Sequence, residues 1–177
     1  EPIKWKICLH IILHTGITRG ELLGLEWKDF DEKINALYIS RSSKVVPNYG
    51  IITVCGNDFK NNQRIPISKQ MLILVNQYKC WQLDEIRRAG SKWRDTIVIT
   101  HQDGSKEKLK NDRLFTQIDG SPMHPDSLTG WLREFRTRTD NKQFNLNTLR
   151  DPEIQSRMSA DMIQYGNPTQ TEMRLTQ

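Results

Sequence analysis

The chain has 177 residues, 36% of them hydrophobic, which is enough for one well-buried core and so for a single domain. Lysine and arginine number 26 against 21 aspartate and glutamate, and the resulting net charge of +5 leans toward polyanionic partners without forming a basic tail. Cys8, Cys55 and Cys80 form an odd set without metal-ligand spacing, and the longest apolar run, Ile7 to Leu13, is interrupted by His10 and falls far short of a bilayer span. A disulfide framework, a zinc site and a membrane segment are therefore not expected, no signal-peptide pattern leads the chain, and a reducing, cytoplasmic setting is.

In chain order, Trp5, Cys8, Leu9 and Ile12 recur at helical spacing and predict a first helix that ends at Thr15-Gly16. Thr18, with Glu21 three residues later, reads as a capping box that opens a second helix near Arg19, with Leu22, Leu23, Leu25 and Trp27 on its buried face. The period then changes. Ile34 to Ser40, Gly50 to Val54 and Arg64 to Ile67 are short β-rich runs, separated by Pro47-Asn48-Tyr49-Gly50 and by the polar Asn57 to Gln63, and they predict a three-stranded antiparallel meander. Ser68 caps a long amphipathic helix with Met71, Leu72, Val75, Tyr78 and Leu83 inward, ending by Gly90. Gly104 to Asp112 reads as a loop. After Leu114-Phe115, the stretch Asp119-Gly120-Ser121-Pro122 signals a turn, and Pro125-Asp126-Ser127 opens a helix with Leu128, Trp131, Leu132 and Phe135 facing inward. The expected fold class is α+β, mainly α, with helices around a small three-stranded antiparallel sheet.

Within this order, Thr15 to Trp27, TGITRGELLGLEW, sets an arginine at the mouth of a helix, where backbone N–H groups already favour an anion such as phosphate. The span resembles the first arginine box of the tyrosine recombinases, the phage and transposon integrases that cut and rejoin DNA through a phosphotyrosine. Counted from Thr15-Gly16, the family's arginine position holds Thr18, and Arg19 lies one residue further on, about 100° around the helix. The resemblance makes Arg19 the first phosphate-gripping arginine; the alternative is a cap at Thr18 and an exposed arginine. Lys60, in the turn ahead of Arg64-Ile65-Pro66-Ile67, matches the family's β-turn lysine, which would protonate the leaving oxygen, or is an ordinary solvated lysine.

Leu114 to Phe135, LFTQIDGSPMHPDSLTGWLREF, is similar to the stretch preceding the second arginine box in integrases of Gram-positive mobile elements. That box, His-x-x-Arg in the family, reads Asn147-Thr148-Leu149-Arg150 here. Arg150 matches the second clamp, whose planar fork can hold two nonbridging oxygens, or is a surface salt-bridge partner. Asn147 can donate a hydrogen bond but cannot carry a proton. Residues 159–165, SADMIQY, resemble the run ending in the nucleophilic tyrosine, which makes Tyr165 the nucleophile; the other reading is a core aromatic. The stretch from Arg150 to Tyr165 is about one helix shorter than the family's and lacks its Gly-His pair. That reads as residues absent between 150 and 151 and near 158/159, or as decay.

The resemblance implies one catalytic domain over residues 1–177, without the family's core-binding and arm-binding domains, the Glu1-Pro2 start reading as that of a fragment. It implies double-stranded DNA as the partner, with self-association on the DNA, and Arg133, Arg136 and Arg138 as phosphate contacts after Trp131, unless they form a solvated face. A transesterification through a protein nucleophile conserves bond energy, so no nucleotide, metal, other cofactor or small-molecule substrate is expected. Two rival readings remain. One is a catalytically decayed relic that only binds DNA, and the other is a protein-interaction module whose apolar faces serve a partner.

Overall fold

The computed structural model describes residues 3–55, 63–101, 103–139 and 145–156. Five helices are named here, α1 (Ile3–Thr15), α2 (Arg19–Gly24), α3 (Lys69–Ala89), α4 (Pro125–Thr139) and α5 (Leu146–Leu149). Seven strands accompany them: β1 (Phe30–Asp31), β2 (Ala36–Ile39), β3 (Arg41–Val46), β4 (Gly50–Cys55), β5 (Gln63–Pro66), β6 (Thr96–Thr100) and β7 (Lys106–Lys110). The fold is α+β, a helical body carrying small antiparallel sheets.

α1 runs through the centre. Every residue from Ile7 to Leu13 is buried, because α2, α3 and α5 all pack on this one helix. Its apolar surface joins Leu22, Leu25, Met71, Val75, Tyr78, Phe115, Leu128 and Leu149 in a single core. Trp5, Trp131 and Phe135 stack in series at the edge of that core, each neighbouring pair of rings 5.2 Å apart. Among the described residues, no helix is long and apolar enough to cross a membrane.

The capping signals act as read. Thr18 Oγ1 accepts from the Glu21 N–H at 3.2 Å while the Thr18 N–H donates to Glu21 Oε2 at 2.6 Å, so α2 starts at Arg19. Ser68 Oγ accepts from the Met71 N–H at 3.1 Å, and α3 closes at Gly90, whose φ of +52° favours glycine.

The sheets depart from the expected meander. β1, β2 and β5 form the three-stranded sheet, with Leu37 opposite both Phe30 and Ile65. The run Gly50 to Val54 belongs instead to a separate hairpin, β3–β4, inserted between β2 and β5, with Val46 opposite Gly50 and Arg41 opposite Cys55. The tract Gly104 to Asp112 is not a loop throughout, since Lys106–Lys110 pairs with Thr96–Thr100 along its whole length. Leu83 is 46% exposed; Gln82 takes the inward position because its amide donates to the Leu114 carbonyl at 3.0 Å and accepts from Trp27 Nε1 at 2.7 Å. At the end of α5 the Asp151 N–H donates to the Thr148 carbonyl at 3.1 Å; position 158/159 lies outside the described residues.

One buried group makes stability depend on pH. His10 is 8% exposed, its Nε2 has no hydrogen-bond partner among the described residues, and desolvation, followed by the nearby Lys6 and His14, lowers its pKa from 6.5 to about 4. Between those two values the unfolded chain binds a proton that the folded chain refuses, so stability falls as pH drops from 6.5 toward 4. The full shift corresponds to roughly 3 kcal/mol. Urea unfolding across that range should show a slope that His10→Leu flattens; an equal slope in both chains would show that His10 is not its source.

Candidate functional site

Thr129, Leu132, Arg133 and Arg136 follow the i, i+3, i+4, i+7 spacing that shares one face of α4. That face meets the first residue of α2 and the start of α5 around an open pocket of about 400 Å³, lined by Arg19, Thr129, Leu132, Arg133, Arg136, Asn145, Leu146 and Asn147. Leu132 and Leu146 are the apolar members of that lining; among the described residues its polar members are three guanidiniums, two amides and a hydroxyl, and no carboxylate.

Each polar member is placed by local chemistry. The Thr18 cap fixes Arg19 as the first helical residue, and Arg19 Nη1 then donates to Thr129 Oγ1 at 2.7 Å, bridging α2 to α4. The nearest acid is Asp126 at 3.6 Å from the same nitrogen, 78% exposed on the first turn of α4 and outside the lining. Such an ion pair is worth little in water and leaves Arg19 able to turn to an anion. Arg133 and Arg136 make no ion pair with any described residue. Asn145 Oδ1 accepts from the N–H groups of Asn147 and Thr148 at 2.9 and 3.1 Å, which turns the exposed Asn147 side chain out beside the pocket.

The remaining predicted residues fall elsewhere. Arg150 does not line the pocket; its Nε donates to the Gly16 carbonyl at 3.0 Å and ties the end of α5 to the turn that leads into Thr18 and Arg19. Gln155 reinforces this tie by donating to the Ile12 and Leu149 carbonyls, both at 3.3 Å. Arg138 stands outside the pocket, its guanidinium 5.9 Å from the Phe135 ring centroid. Lys60 and Tyr165 lie outside the described residues. Thr18, at the family's arginine position, has its hydroxyl occupied by the α2 cap.

Sequence reasoning missed Asn145 in the pocket and a buried ion cluster at the end of α2. Arg113 is 3% exposed, with Nη2 donating to Thr53 Oγ1 at 2.7 Å, Nη1 to the Gly24 carbonyl at 3.1 Å, and Nε 3.8 Å from Glu26 Oε1. Arg41 Nη1 joins it, 2.6 Å from Asp29 Oδ2 and 3.3 Å from Glu26 Oε2. Burial raises the pKa of Asp29 against the opposing pull of the Glu26 N–H and Arg41. This cluster fastens the β3–β4 hairpin to the end of α2.

No protein-family model matches the chain. It is 24% identical over 110 residues to the ICEBs1 integrase of Bacillus subtilis strain 168, a match that covers 61% of this chain and 29% of that protein. Its fold matches the Tn1549 transposon integrase, solved in complex with a circular intermediate DNA, at a TM-score of 0.57 and 17% identity over 81% of this chain and 42% of that one. XerA recombinase matches at a TM-score of 0.50 and 13% identity, over 85% of this chain and 46% of that one. The chain thus spans less than half the length of each of these proteins. The chain is similar in sequence to part of one integrase and shares the fold of parts of an integrase and a recombinase.

Proposed function

We propose that this chain is the catalytic domain of a site-specific recombinase of the integrase kind, which cleaves and rejoins double-stranded DNA and assembles as several copies on it. The observation that supports this reading best is the convergence of Arg19, Arg133 and Arg136, from two helices, on one pocket with no carboxylate among the described residues of its lining. Guanidiniums grouped in this way hold phosphate oxygens and the negative charge that grows on them in a phosphoryl-transfer transition state. Asn147 adds a neutral donor at the rim.

In this reading the Tyr165 phenol oxygen attacks a backbone phosphorus, the P–O5′ bond breaks, and Lys60 gives the leaving 5′ oxygen its proton. A 3′-phosphotyrosine results, and attack by a 5′-hydroxyl reverses the step and reseals the strand. Arg150 acts as the second clamp, which requires it to exchange the Gly16 carbonyl for a phosphate oxygen. Its exposure permits that exchange.

A second reading is favoured by two positions. Thr18 carries no charge where the family has an arginine, and Asn147 cannot shuttle a proton, which is the pattern of a relic that binds DNA without cutting it. Both readings need the pocket to hold backbone phosphate. Changing Arg133 and Arg136 together to glutamine should weaken duplex binding about tenfold or more near physiological salt, and flatten the fall of log affinity with log salt by about 2. Unchanged binding, measured by fluorescence anisotropy across a salt series, would remove the pocket from both readings.

A further inference from the structure

The β6–β7 hairpin presents a cationic row that the pocket does not include. Ile97 and Ile99 are 5% and 6% exposed, so the alternation of a strand puts Thr96 and Val98 on the opposite face. The register sets Lys110 against Thr96, Lys108 against Val98 and Lys106 against Thr100. All three lysines therefore share the outer face, where Val98 is 56% exposed. β7 is the outer strand of the pair, since β6 lies against β4.

Among the described residues, nothing on that face neutralises the row. Glu107 projects to the other side of the strand, where its carboxylate lies 3.1 Å from His101 Nε2. Asp103, in the connecting turn, accepts from the Ser105 hydroxyl and N–H. Lys106, Lys108 and Lys110 are exposed and form no ion pair with any described residue. Their Cα atoms are spaced ~6.8 Å apart along the strand, so the row spans ~13 Å, the axial rise of about four phosphates of one DNA strand. Three like charges in line repel one another, and the repulsion is relieved by a regular polyanion laid along them.

We propose that this lysine row is a second contact for the sugar-phosphate backbone of duplex DNA, separate from the arginine pocket. The proposal rests on the reading of the chain as a DNA-binding recombinase domain. Lysines on an edge strand can also serve only to keep the edge from pairing with another chain. The two roles differ in what they do to salt dependence.

The test is duplex binding by the whole chain across a salt series, comparing the unaltered protein with Lys106→Gln/Lys108→Gln/Lys110→Gln and with Lys106→Arg/Lys108→Arg/Lys110→Arg. The row predicts that the glutamine variant, folded by circular dichroism, has a slope of log affinity against log salt shallower by about 2 to 3. The arginine variant keeps the original slope. An unchanged slope in the glutamine variant overturns the row while leaving the arginine pocket standing, and new self-association of that variant in sedimentation then assigns the lysines to edge protection. No duplex binding by the unaltered chain at low salt overturns the row and the proposed function together.

Discussion

Replacing Arg113 with methionine lowers the free energy of unfolding by about 3 kcal/mol, the cost of leaving several buried polar groups without their donor. The side chain is 3% exposed and spans Thr53 on β4, the Gly24 carbonyl at the end of α2 and the Glu26 carboxylate, so one substitution unfastens three segments. Methionine restores volume but no donor. Lys28 at 2.8 Å and Arg41 at 3.3 Å remain on Glu26, so the loss falls on Thr53 and the Gly24 carbonyl, which lose their guanidinium donor. Adding Glu26→Gln to the variant should deepen the loss, since Lys28 and the largely buried Arg41 then lose that carboxylate as a partner. Urea unfolding of the single and double variants measures both effects. A loss below about 1 kcal/mol for Arg113→Met would mean that the cluster does not hold the hairpin.

The parts of the fold that were legible in the sequence are those decided within one or two turns of chain. Thr18 and Glu21, Ser68 and Gly90, and the inward set Leu128, Trp131, Leu132 and Phe135 each act through neighbours close in sequence. What escaped was decided by partners far away. β3, RSSKVV, does not look like a buried strand because its inward Ser43 is polar, and Ser43 is tolerated at 4% exposure because its hydroxyl donates to the Leu23 carbonyl and accepts from Arg113, seventy residues on. Gln82 displaced Leu83 from the core for the same kind of reason, its amide meeting carbonyls at 113 and 114. β7 was hidden by three lysines that need burial on one face only.

The candidate site divides along the same line. Arg133 and Arg136 were readable as a basic stretch after Trp131, and their spacing with Thr129 and Leu132 marks one helical face. That Arg19 closes the face from another helix, through Thr129, is a tertiary fact. The position of Asn147 beside it depends on where α5 docks, and α5 is held by Arg150 and Gln155 reaching back to the end of α1 and the turn after it.

The chemistry is tested most directly by a covalent trap on the unaltered chain. A duplex nicked next to the scissile phosphate loses the short 5′-hydroxyl strand on cleavage, so the reverse reaction fails and the phosphotyrosine accumulates as a slow band on a denaturing gel. The account predicts that band with the unaltered chain and none with Tyr165→Phe, which keeps its affinity for the duplex because the phenyl ring remains and only the attacking oxygen is removed. No adduct from a chain that binds the duplex would contradict the catalytic reading and leave the DNA-binding relic, and an adduct that persists in Tyr165→Phe would contradict the choice of nucleophile.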